Sequence, residues 1–80
     1  MNLHIRTAEG RPAAGAVVSI AEAPVSVKDL GLVADDAGVV QLHAPASGRW
    51  MFSIWFAGKQ DLVSVALAPE LGRQTITLSP

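Results

Sequence analysis

The sequence predicts an all-β fold, a seven-stranded β-sandwich, on three observations. The stretches Gly10-Arg-Pro-Ala-Ala-Gly-Ala-Val-Val-Ser-Ile20, Asp35-Asp-Ala-Gly-Val-Val-Gln-Leu42 and Gly48-Arg-Trp-Met-Phe-Ser-Ile-Trp-Phe56 each open with turn residues and run straight into an apolar or alternating segment. Turn signals then recur about every 8 to 12 residues, the spacing of a two-sheet sandwich. No segment keeps a helical period long enough for a long helix.

Each element follows from period-two burial. Leu3 and Ile5 alternate with His4 and Arg6, so residues 2–7 read as a first strand that Glu9-Gly10-Arg11-Pro12 breaks. Gly15 releases a second strand with Ala16, Val18 and Ile20 inward and Val17, Ser19 and Ala21 outward, ended by Pro24. Residues 24–31 are the least patterned; a turn of helix over 27–30 is conceivable, with Gly31 stopping it. Leu32–Ala34 is a brief third strand, and Asp35-Asp36-Ala37-Gly38 a hairpin turn whose glycine supplies positive φ. Val40 and Leu42 form the inward row of a fourth strand that Pro45 terminates.

The fifth strand carries the strongest pattern. Trp50, Phe52, Ile54 and Phe56 share the inward face and Met51, Ser53 and Trp55 the other, which makes it the expected central strand. Gly58-Lys59-Gln60-Asp61 reads as the next turn, followed by a sixth strand with Val63, Val65 and Leu67 inward and Leu62, Ser64 and Ala66 opposite. After a loop over Pro69–Gly72, Thr75-Ile76-Thr77-Leu78 closes the fold as a seventh strand.

Length and composition bound the function. At 80 residues the chain is one domain, 1–80, and a domain of this size buries only about 60 to 65 per cent of its unfolded surface. Half of the residues are hydrophobic, 16% are charged, and six basic residues stand against seven acidic ones. No basic field exists to track a phosphate backbone, so nucleic acid is not an expected partner. The absence of cysteine excludes disulfides, thiolate metal sites and a Cys nucleophile. Residues 1–5 enter an alternating strand at once without the basic and apolar regions of a signal peptide, and no apolar run approaches the roughly 18 residues of a membrane helix. The expected location is cytoplasmic, unless the chain is excised from a longer exported protein.

The order Gly-x-Pro-Ala-x-Gly-Ala-x-Val-x-Ile, Asp-x-Gly-x-Val-x-Leu, Pro-x-x-Gly-x-Trp-x-Phe-x-Ile and a final Thr-Ile-Thr-Leu resembles the carboxypeptidase regulatory-like domains, over Leu3 to Leu78. The resemblance implies an immunoglobulin/transthyretin-like (prealbumin-like) sandwich, close to bacterial collagen-adhesin B-type repeats, and a role as stalk, enzyme appendage or docking module. His4-Ile5 followed by Gly10–Gly15 also looks like the opening of hydroxyisourate hydrolases, where a His on the first strand helps activate water. The remainder departs from that enzyme: the spacing to Gly10 is one residue short, and with no Tyr the family's terminal Tyr-Arg-Gly-Ser is absent. In collagen-adhesin B-type domains a Lys forms an internal amide beside a buried acid. Lys28 or Lys59 would need an Asp acceptor here, with Glu22 or Glu70 assisting, and both lysines fall in loop-like segments where exposure is the ordinary state.

No catalytic, cofactor or metal site is expected. His4 and His43 fall on outward positions without metal-ligand spacing, and Asp35-Asp36-Gly38 is ordinary turn chemistry, short of the six to eight oxygens calcium takes. None of the serines sits in a glycine-flanked elbow. What exceeds ordinary expectation is the outer face of the fifth strand, where Met51 and Trp55 flank Ser53. Val17, or Leu62 and Ala66, from neighbouring strands would complete an apolar patch, unless 24–31 folds over it as a second small core. The chain is therefore expected to be a non-catalytic accessory module docking onto a larger protein assembly through Met51, Ser53, Trp55 and Val17 or through an edge strand, with self-association possible and a free subunit favoured over a stalk. The alternatives are carbohydrate binding by Trp55 with His4, His43 or Gln41, and a divergent hydrolase using His4.

Overall fold

The long alternation over residues 48–67 folds into the two longest strands, Gly48–Phe56 and Lys59–Leu67, joined by a two-residue turn. A computed structural model describes residues 1–27 and 31–80. Among these, seven strands occur: β1 Asn2–Arg6, β2 Val17–Glu22, β3 Leu32–Val33, β4 Val39–Gln41, β5 Gly48–Phe56, β6 Lys59–Leu67 and β7 Arg73–Thr77. The only helical element described is a single 3-10 turn, Pro69–Leu71. The helical turn conceived over 27–30 falls largely on 28–30, outside the described residues; Val27 itself is irregular.

The turn after β5 sits two residues earlier than expected. Ala57 and Gly58 have φ of 53° and 76°, and Phe56 pairs with Lys59, so the loop is a primed two-residue hairpin rather than a turn over 58–61. Positive φ at both loop positions matches the right-handed twist of the strands, and it leaves Lys59, Gln60 and Asp61 free to extend β6. Ala57 is the one described non-glycine residue held there, a conformation costing an alanine roughly 1–2 kcal/mol and an asparagine much less. Ala57→Asn is therefore expected to stabilise the domain by about 1 kcal/mol and raise its melting temperature by roughly 4–8 °C. A thermal melt followed by circular dichroism checks this; an unchanged or lowered midpoint would contradict the turn assignment.

The strands divide into a three-stranded sheet, β4-β1-β7, and a four-stranded sheet, β3-β2-β5-β6. β5 lies inside the larger sheet, antiparallel to β2 and β6, as its apolar row requires. β1 runs antiparallel to β4 and parallel to β7. In a constant-type immunoglobulin domain the first strand shares a sheet with the second, fifth and fourth; here it is separated from both the second and the fifth.

The two sheets close on one core. Leu3 and Ile5 of β1, Val40 of β4 and Ile76 of β7 meet Val18 of β2, Trp50, Phe52 and Ile54 of β5 and Leu67 of β6, all at most 3% exposed. Trp50 and Phe52 stack with centroids 6.2 Å apart, and the Trp50 indole donates to the Ala46 carbonyl at 3.2 Å, so the largest core side chain leaves no polar atom unpaired. Phe56, Val63 and Val65 are only half-buried, packed at the margin of this core. Ala13 is fully buried although no alternation marks it.

The turn at 35–38 is not a hairpin within one sheet. β3 bonds to β2 and β4 to β1, so Asp35–Gly38 carries the chain from one layer to the other. The Asp35 carboxylate accepts the backbone N–H groups of Ala37 and Val39, both at 2.9 Å, and Gly38 N–H donates to the Asp35 carbonyl at 2.9 Å. Such side-chain capping is what aspartate brings to a turn.

Candidate functional site

The outer face of the four-stranded sheet is built from residues that strand alternation turns away from the core. Register places Val33, Val17 and Trp55 side by side across β3, β2 and β5, with Gln60 of β6 next in the row. Ser19, Ser53 and Leu62 make the adjoining row, which sets Leu62 diagonal to Trp55, within reach of a large ring. Met51 stands further along β5 between Glu22 and Ser64. The bulge in β2 between Ile20 and Glu22 shifts that last pairing.

Exposure distinguishes the members of this face. Val33 is 66% exposed, Leu62 67%, Trp55 50% and Val17 38%, whereas Met51 and Ser53 are half-buried among their neighbours. The polar members are engaged: Gln60 Nε2 donates to Ser53 Oγ at 2.6 Å and Arg49 Nη1 to Ser64 Oγ at 3.0 Å. The result is an apolar stripe, Val33-Val17-Trp55-Leu62, crossing the whole sheet and edged by serines, Gln60, Arg49 and Glu22. Both neighbouring strands contribute, since Val17 comes from β2 and Leu62 from β6.

Of the segment after β2, Ala23 and Val27 pack against the central core and Pro24 lies beside Gly48; residues 28–30, on which a second small core over Trp55 would also draw, lie outside the described residues. The opposite face of the sandwich has a different chemistry. Asn2, His4 and Arg6 of β1 stand beside Gln41 and Val39 of β4 and Arg73, Thr75 and Thr77 of β7, a polar surface.

That division separates residues that a sugar site would need together. Trp55 lies on one outer face and His4 and Gln41 on the other, with the core between them. His43 is exposed beyond the end of β4, beside Met1 and Leu42 rather than His4. Among the described residues no three of His, Asp and Glu converge as a cation site. The Asp35 carboxylate is occupied by backbone N–H groups. Lys59 is exposed and its ammonium is bonded to the carbonyls of Ser79 and Pro80; Lys28 lies outside the described residues.

A shallow cleft of about 190 Å³ opens at the end of the sandwich, between the β5–β6 turn, residues 7–9 and residues 78–80. Asp61, on the inward row of β6, accepts Ser79 N–H at 3.1 Å and Ser79 Oγ–H at 2.8 Å. Sequence reading treats Asp61 as a turn residue; its signal is that it shares parity with Val63, Val65 and Leu67. Its role is to tie the chain after β7 to the hairpin, a contact that the Lys59 ammonium on the Ser79 and Pro80 carbonyls reinforces.

Comparison with protein-family models, with curated proteins and with solved structures finds no match to this chain.

Proposed function

We propose that this chain is a non-catalytic interaction module, a transthyretin-like sandwich of the carboxypeptidase regulatory-like kind, that docks onto a larger protein through the outer face of β2, β5 and β6. The observation that carries the reading is the half-exposed indole of Trp55, in register with Val17, with Val33 beyond Val17 and Leu62 on the diagonal. Isolated exposed apolar residues are common, but a contiguous stripe with a central tryptophan and a polar rim has the composition of an interface centre. Met51 and Ser53 extend it along β5. The first strand pairs with the fourth and the seventh, in the sheet opposite the second and fifth, which departs from the constant-type immunoglobulin order.

The expected behaviour follows from hot-spot energetics. Removing a central tryptophan from an interface typically costs 2 kcal/mol or more, about 30-fold in affinity, whereas its half-exposed ring adds little to folding. Trp55→Ala or Met51→Asp should abolish retention of a protein partner that the parent chain holds, with cooperative unfolding preserved. Equal retention by parent and variants would remove this face from consideration. Carbohydrate binding is separable by fluorescence: Trp50 is fully buried, so glycan-dependent quenching would report Trp55 and would favour that alternative.

A further inference from the structure

Four strands end the two sheets, and they differ in how their open edges are protected. β3 and β4 are two and three residues long, and β7 carries Arg73, Thr75 and Thr77. β6 is nine residues long and its run from Leu62 to Leu67 has no charge, proline or bulge. Short length and edge charges are the usual protections against strand pairing; the middle of β6 has neither.

The turn geometry identifies which backbone groups of β6 are open. Phe56 and Lys59 flank a two-residue loop and so exchange both hydrogen bonds, and alternation then gives Asp61, Val63 and Val65 to β5 as well. The N–H and C=O groups of Gln60, Leu62, Ser64 and Ala66 point away from the sheet. The Gln74 side chain occupies the last of these, its Nε2 donating to the Ala66 carbonyl at 2.8 Å while its Oε1 accepts Ala68 N–H at 3.4 Å. Gln60, Leu62 and Ser64 are left, evenly disposed about Leu62.

We propose that this edge pairs antiparallel with β6 of a second copy of the chain, about a two-fold axis at Leu62. In that register Leu62 faces Leu62 of the partner subunit, and Gln60 faces Ser64 of the partner subunit, each pair exchanging both backbone bonds. The clamped Ala66 falls opposite Gly58 of the partner subunit, in its turn, where no ladder bond is needed. Lys59 and Asp61 fall opposite Val65 and Val63 of the partner subunit, so no like charges oppose each other. The open segment is thus its own complement, which is the condition a two-fold contact imposes. The two four-stranded sheets become continuous, and the Leu62 side chains, 67% exposed in the single chain, cover one another.

This contact goes beyond docking through the Trp55 face, because it is made by the backbone at the sheet edge. One strand pair buries less than a standard interface, so the dimer should be concentration-dependent, assembling between about 1 µM and 1 mM. Sedimentation equilibrium on the full chain over that range tests it. The expected result is a monomer–dimer transition that Ser64→Pro, which removes an outward N–H, and Leu62→Lys each weaken at least tenfold. Val33→Lys, on the same face at the far edge, and Trp55→Ala should leave it unchanged. Circular dichroism establishes that each variant folds, and Leu62→Lys decides the matter if the proline variant does not. A chain that stays monomeric throughout, a dimer indifferent to Leu62→Lys, or one lost with Trp55→Ala or Val33→Lys would overturn the proposal. Loss of partner binding in Trp55→Ala with the dimer intact bears on the docking face alone.

Discussion

Gly38→Ala is expected to destabilise the domain by about 4 kcal/mol, at least a third of its total stability. Two costs coincide. Gly38 has φ of 74°, where an alanine is strained by about 1–2 kcal/mol, and it is buried under the first strand. A Cβ built there meets the Ile5 carbonyl oxygen at 2.6 Å and the Ala13 nitrogen at 2.9 Å. Those atoms are backbone, held by Ile5 N–H donating to the Gly38 carbonyl at 2.7 Å and Ala13 N–H to the Ile5 carbonyl at 2.9 Å. Relief therefore means shifting β1, and overpacking of this kind costs roughly 1–3 kcal/mol more. A domain of 80 residues has about 4–12 kcal/mol in total, by the usual per-residue stability. Gly10→Ala is the control: its φ is 85° but nothing lies within 4 Å of the added carbon, so only the strain, about 1 kcal/mol, should appear. Urea denaturation of the pair measures the difference. Equal losses would mean that the turn does not press against Ile5 and Ala13.

Trp50→Ala should have an effect of similar size, about 3–5 kcal/mol. Trp50 is fully buried between the sheets, stacked on Phe52 and hydrogen-bonded to Ala46. Its removal opens a large cavity that two hydrogen-bonded sheets cannot collapse to fill, and leaves the Ala46 carbonyl without its donor. The same truncation at Trp55, five residues along the same strand and 50% exposed, should cost less than about 1 kcal/mol. Urea midpoints at unchanged slope give both values. Equal losses at the two tryptophans would contradict the assignment of opposite faces.

The strand positions were legible because period-two alternation is a local property. The inward row Trp50, Phe52, Ile54 and the outward Trp55 could be told apart without any knowledge of what lies on either side. The same held for Leu3 and Ile5, Val18, Val40 and Leu42, and Ile76, all buried. Boundaries were less legible where a turn depends on conformation rather than residue type. Ala57-Gly58 is not one of the favoured primed-turn pairs, so the residue types place the turn on the glycine and polar run at 58–61, and β6 begins three residues before the start they predict. Asp35-Asp36-Ala37-Gly38 announced a turn but not that it leads from one layer to the other. Of the candidate docking face, Met51, Ser53 and Trp55 were given by one strand's parity. Val17 and Leu62 are outward by the parity of their own strands, so the sequence offers them for the same patch; that both lie beside β5 rests on the order β2-β5-β6, and Val33 needs β3 beyond it.

Side-chain periodicity along each strand thus determined the fold class, the inward rows and the aspartate and glycine chemistry of the turns, because these rest on backbone sterics and burial within a few residues. Strand order, the parallel pairing of β1 with β7, the close approach of Gly38 to Ile5 and Ala13, and the open middle of β6 depended on assembly of the layers. They arise from contacts between residues far apart in the chain, such as Ile5 with Ile76 and Gln74 with Ala66, and no local pattern encodes which distant strand supplies a partner.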